Sequence, residues 1–200
     1  MADNAPFGFR PTRHKTGGQI HTTRYVVTAS GNAAGIAIGD AVRRNPNGVG
    51  VIKVSGDVVP TTQVLGAVVA LYDSNNRPQT FSQPTRGPAL PASTAGYADV
   101  VDDPHVVFVV QSDATALPSH IGQYVSLTAA NTYNTAAGTS NMAVRIATVD
   151  TSVRQCQIVG FFGGDKDNLG AVAGIPAAST NVATPLLEVV FSRHIFTGSV

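Results

Sequence analysis

Tryptophan is absent, cysteine and glutamate each occur once (Cys156 and Glu188), and charged residues make up only 12% of the 200-residue chain. Each scarcity removes a class of chemistry. A lone cysteine excludes an intramolecular disulfide framework and any multi-cysteine zinc site, and its place within "RQCQIVGFF" reads as a small buried hydrophobe. With one glutamate, carboxylate-pair catalysis would have to rest on aspartates, most of which stand in turn contexts. No stretch approaches the length of apolar run that a membrane helix needs, so no membrane span is expected. The opening "MADNAPFGFRPTRHK" has no apolar run after its charges, so no secretory signal is expected either. An average soluble protein is about 25% charged. This chain has half that, with a net charge of +1, so much of its exterior is neutral. Such a surface suits a protein that lives packed against others and suits a free enzyme less well.

What the chain does have is short runs rich in Val, Ile, Thr and Tyr, bounded by Gly, Pro, Asn and Asp, with almost no helical periodicity. That is the signature of an all-β protein. Strands are expected near 21–29, 35–44, 49–56, 62–72, 105–113, 121–128, 142–151, 153–162 and 185–196. "VLGAVVAL" is apolar on both faces and should be central, whereas Arg145 and Thr148 interrupt "MAVRIATVD" and leave one face free for solvent. The segments "RNPNGVG", "YDSNNRP" and "FGGDKDNLG" supply turn chemistry. Residues 81–96, with Pro84, Pro88 and Pro91, cannot form a central strand, and 169–184 is another long, small-residue loop. A chain of this length buries roughly 70% of its unfolded surface, enough for one real core. The expected organisation is an extended arm over 1–18 and a single β domain over 19–200, with a β-barrel and a β-sandwich both open because strand order is not readable from pattern.

"YADVVDDPHVVFVVQSD" (97–113) sets two adjacent aspartates and a histidine in front of an unbroken apolar run. Asp-Asp-Pro initiates turns, since an aspartate accepts hydrogen bonds from backbone two residues on and Pro104 fixes φ. "VVFVV" has the β-branched density of a strand buried on both faces. Adjacent strand residues point to opposite faces, so Asp102 and Asp103 are expected to serve a turn rather than a catalytic or metal site. "DKDNLG" opens like a calcium loop, but Leu169 and Pro176 occupy liganding positions. "GVGVIK" lacks the helix a dinucleotide fingerprint needs, and no phosphate loop or nucleophile elbow occurs. The histidines, at 14, 21, 105, 120 and 194, never fall at zinc-motif spacing, although a triad dispersed in sequence stays open. His194, beside Arg193, reads as an edge or interface residue. No catalytic residue, cofactor or metal ligand is therefore expected.

"APFGFRPTRHKTGG" (5–18) departs from the rest. Arg10, Arg13, His14 and Lys15 concentrate positive charge, Phe7 and Phe9 supply aromatic anchors, and Pro6, Pro11 and Gly17-Gly18 oppose helix or central strand. Phe7, Phe9, Arg10, Arg13 and His14 are the expected partner contacts, because a solvated tail has no use for two phenylalanines. Packing on the chain's own domain and contact with nucleic acid are the competing readings. The second is disfavoured because no basic patch elsewhere extends a phosphate track.

The sequence resembles the capsid cement, or head decoration, proteins of tailed bacteriophages, particularly those encoded beside the coat protein in short-tailed phages. The resemblance is carried by "FGFRPTRH" (7–14), "RYVV" (24–27), "IGDAV" (38–42), "VLGAVVALY" (64–72), "YADVVDDPHVVFVVQSD" (97–113), "IVGFFGGDKDN" (158–168) and "LLEVVFSRHIF" (186–196), in the family's order across nearly the whole chain. After Asp-Asp-Pro the family pattern usually carries Asn, and His105 departs from it. The resemblance implies no enzyme and no cofactor. It implies a structural virion protein made in the host cytoplasm and located on the outer surface of the capsid. Its partner would be the major capsid protein, and the chain itself would form a homo-oligomer, trimer or dimer, with neither nucleic acid nor membrane involved. The alternative from the residues is an all-β ligand- or carbohydrate-binding module of a phage tail or surface protein, which the lack of Trp disfavours.

Overall fold

The β-branched runs form antiparallel ladders, and among the described residues no α-helix interrupts them. The structure is a computed structural model that describes residues 6–54, 62–79, 89–128, 133–134, 138–162 and 184–196. In chain order the strands are β1 (Arg10–His14), β2 (Thr23–Val27), β3 (Ile36–Ala37), β4 (Ala41–Arg44), β5 (Val51–Lys53), β6 (Gly66–Asp73), β7 (Ala89–Leu90) and β8 (Gly96–Val101). They continue with β9 (Val106–Gln111), β10 (Tyr124–Leu127), β11 (Tyr133–Asn134), β12 (Thr139–Ser140), β13 (Val144–Asp150), β14 (Cys156–Phe161) and β15 (Leu186–Phe191). A six-stranded sheet runs β1-β9-β15-β14-β10-β13 and a five-stranded sheet runs β2-β8-β6-β4-β5; β3 with β7 and β11 with β12 make two small ribbons.

Side-chain alternation explains how these layers stack. On β6 and β8, Ala67 and Val101 join a core with Phe9, Phe108, Leu127, Ile158 and Phe191 from the six-stranded sheet. Their neighbours Val68 and Val100 point the other way, into a second core with Ile36 and Leu90 of the β3–β7 ribbon. Where Ala67, Val68, Val100 and Val101 lie, the five-stranded sheet is thus buried on both faces, in keeping with the apolar "VLGAVVAL" and the place of β6 in the middle of its sheet. Of the two architectures open from sequence, the closed barrel is excluded. β1 and β13 are both edges of the larger sheet, and only a lone parallel bridge, Ser112 with Val144, meets across one end.

One expectation needs correction. The expected strand over 35–44 is broken into β3 and β4 because Gly39 takes a left-handed φ of 91° and the Asp40 side chain accepts from the Ala37 amide, turning the chain. Within the extended arm expected over 1–18, Arg10–His14 is a strand paired with β9 from Arg10↔Val109 to His14↔Val106. Pro11 is tolerated there because β1 is an edge strand. The loop expected over 169–184 lies almost wholly outside the described residues, as does 81–88 of the loop expected over 81–96.

Candidate functional site

Phe9 fixes the N-terminal segment to the body of the protein. Its side chain is 1% exposed, its ring meets Phe108 edge-on at 6.3 Å and Phe191 at 5.1 Å, and its amide donates to Gly39 O at 2.8 Å. Phe9 therefore leaves the set of expected partner contacts: an aromatic ring that fills its own core cannot also reach a neighbour. The crossing beside it needs glycine on both sides. A Cβ on Gly8, which has φ of 76°, would stand 2.3 Å from Gly39 O, and one on Gly39 would stand 2.5 Å from Phe7 O.

The other four expected contact residues sit at the surface around this anchor. Arg10 stacks on the half-buried Phe7 ring with its guanidinium carbon 4.3 Å from the centroid. Arg13 Nη2 lies 2.7 Å from Glu188 Oε2, and this ion pair straddles β9, because the register sets Arg13 opposite Val107 and Glu188 opposite Val109. A register shift between Pro11 and Arg13, together with the missing amide of Pro11, interrupts the free edge of β1. A partner would meet this strand through side chains rather than by extending the sheet.

His14 closes the strand and meets the Asp102-Asp103 turn. Thr16 N–H donates to its Nδ1 at 3.2 Å, so the hydrogen-bond network assigns the ring proton to Nε2, which donates to Asp103 Oδ2 at 3.0 Å. Asp103 also accepts from the His105 amide at 2.8 Å, and the two imidazoles lie 5.9 Å apart. Burial pushes the Asp103 carboxyl up, but the bonds from the His105 amide and His14 outweigh it and hold it below the usual carboxylate range. Asp102 turns the opposite way, as neighbouring residues of an extended chain must, and accepts from Tyr25 Oη at 2.5 Å and Thr23 Oγ1 at 3.2 Å. Burial, then this bond, pushes the Tyr25 hydroxyl up to about 12. The two aspartates thus clasp one strand from each sheet, β2 through Asp102 and β1 through Asp103. The turn reading of Asp102-Asp103-Pro104 agrees with that geometry, and sequence spacing had no means of finding His14 as its partner.

Elsewhere the polar groups are used structurally. Arg24 holds Asp99 through Nε at 2.7 Å and stacks on Tyr72, and the Arg24 and Tyr72 bonds lower the Asp99 carboxyl. Asp40 is fully buried, 3.0 Å from Lys53 Nζ, and accepts from the Ser140 hydroxyl. Cys156 is buried and burial pushes its thiol up, away from reactivity. Large apolar side chains that the sequence reading did not single out stand exposed at Val49, Leu117, Phe162 and Phe196. A search against protein-family models, curated proteins and solved structures matches none of them to this chain.

Proposed function

We propose that the chain is a structural virion protein that binds the outside of a phage head and stabilises the shell by bridging neighbouring major capsid subunits. The observation that carries this reading is the buried Phe9 anchor. It fixes to an all-β body with few charges the strand that carries Arg10 and Arg13 on one face and His14 on the other, with Phe7 just ahead of it. A contact surface held in place before binding loses less conformational freedom on docking than a loose tail does. Arg10 stacked on Phe7 joins a cation to an aromatic face, a composition that interface centres favour. Exposed Val49, Leu117, Phe162 and Phe196 add apolar points at other sites on the surface. The resemblance of the motif order to that of head decoration proteins is in keeping with the same assignment.

Physically, a shell packed with DNA is weakest where coat subunits meet. A standard interface buries roughly 800 Å² per partner. If the bridging protein is a dimer or trimer, effective concentration raises avidity by about 10² to 10⁴ over a single contact. Modest contacts then act as one clamp. The carbohydrate-reader alternative gains no support, since all five tyrosines are buried or half-buried and Tyr72 is already covered by Arg24. The experiment is to mix purified protein with undecorated heads. It should sediment with them and raise their melting temperature, and failure of both ends the proposal.

A further inference from the structure

We propose that His14, Asp103 and His105 form a surface site for a borderline divalent transition-metal ion, with Zn²⁺ as the ion to test. One donor atom from each residue lies within 4.8 Å of the other two. Two imidazoles and one carboxylate are the donor set that zinc and its neighbours take, at roughly 2.0–2.2 Å per bond, which sets tetrahedral donor atoms about 3.4 Å apart. Both imidazoles already meet this carboxylate, one on each oxygen: His14 Nε2 lies 3.0 Å from Asp103 Oδ2 and His105 Nδ1 lies 3.3 Å from Asp103 Oδ1. Closing on one ion needs the carboxylate and the His105 ring to turn, and the His105 side chain is 60% exposed.

Backbone pairing, and not the side chains themselves, brings the donors together. The β1–β9 register sets His14 opposite Val106, and the Lys15 amide donates to the carbonyl of His105 at 2.8 Å. Asp103 is oriented by the His105 amide on its Oδ1. Around His14 the chain folds back at Gly17, with φ of 78° and its amide on His14 O, so that Gly18 lies against the imidazole; a Cβ there would stand 3.3 Å from Nδ1. Binding shifts one proton. Nε2 gives up its proton to solvent and ligates, Nδ1 takes one up from solvent so that the imidazole stays neutral, and Thr16 Oγ1, 2.8 Å away, accepts from it in place of the Thr16 amide contact. The fourth position is left to water. The ion would staple the end of edge strand β1 to the turn between β8 and β9, and this is independent of what the protein docks against.

The test is calorimetric titration of Zn²⁺ into the full chain at neutral pH, with thermal unfolding in Zn²⁺ and in chelator. One ion should bind per chain, with a chelator-reversible rise in melting temperature, and Co²⁺ should give the visible absorption of a four-coordinate ion. His105→Ala removes an exposed side chain and should weaken affinity by about tenfold or more while removing the thermal response. His14→Gln should do the same, judged by the response to Zn²⁺ and not by its basal stability. His21→Ala, an exposed histidine outside the cluster, should change neither. Absence of uptake overturns the proposal, and so does uptake that survives both His105→Ala and His14→Gln.

Discussion

The Phe9 ring packs 5.1 Å from the Phe191 ring, tilted by 47°, so the residue that leads into the first described strand and the end of the last meet through an aromatic contact in the core. Truncation there removes a fully buried aromatic. Phe9→Ala should destabilise the protein by about 3–5 kcal/mol in denaturant unfolding. Deleting residues 1–16 should be at least as damaging, since it also strips β1 from β9. Phe7→Ala and Arg10→Ala, by contrast, should leave unfolding nearly unchanged while weakening binding to shells. Equal loss of stability in all four variants would show that the surface row has no role of its own.

Glycine is required where Gly8 and Gly39 cross. Gly8→Ala places a methyl 2.3 Å from the Gly39 carbonyl at a positive φ. The cost should exceed the roughly 1 kcal/mol of an ordinary glycine effect, because backbone must move as well. Thermal unfolding checks it, and a melting temperature equal to wild type would mean that the crossing is looser than described.

Asp40 and Lys53 form a buried pair linking the β3–β4 turn to β5. Burial raises the Asp40 carboxyl, opposed by Lys53, the Ser140 hydroxyl and the Ala37 amide. Lys53→Met leaves the carboxylate buried without its counter-ion, at a cost of about 3–5 kcal/mol. Adding Asp40→Asn to that variant should recover part of the loss, a coupling that a double-mutant cycle measures directly. Additive losses would contradict the pairing.

His194 gives the stability a pH dependence. Burial holds its pKa below the ordinary 6.5, against a bond with the Leu65 backbone and the nearby Asp102 and Asp103 carboxylates. The unfolded chain therefore binds this proton at higher pH than the folded one does. Stability from His194 is full above about 6.5 and falls as the pH drops through that value toward the lower folded pKa. Denaturant unfolding at pH 7.5 and 5.5 should show a loss on acidification that is smaller in His194→Gln. An unchanged slope would place the acid sensitivity elsewhere.

Much of this fold is legible in the sequence because burial on both faces leaves an uninterrupted apolar run. β6 and β9 announce themselves in that way, and Val106–Gln111 is buried at every position. β8 does not, because Asp99 stands in its middle on the face where Arg24 and Tyr72 hold it, and the stretch reads as a lead into the turn. β1 is hidden by Pro11 and its two arginines, which suit a solvated arm as well as an edge strand. Only the position of Phe9 in the tertiary core decides between them. The meeting of His14 with Asp103, 89 residues apart, depends on the β1–β9 register, which no local pattern encodes.

The proposed place of this protein, at the junctions between coat subunits on the outside of a viral head, is tested most directly by electron cryomicroscopy of undecorated heads mixed with wild-type protein or with a Phe7→Ala/Arg10→Ala variant. Extra external density is expected at the capsomer junctions with wild-type protein, and weak or absent density with the variant. Heads that stay bare after mixing with folded wild-type protein would contradict it.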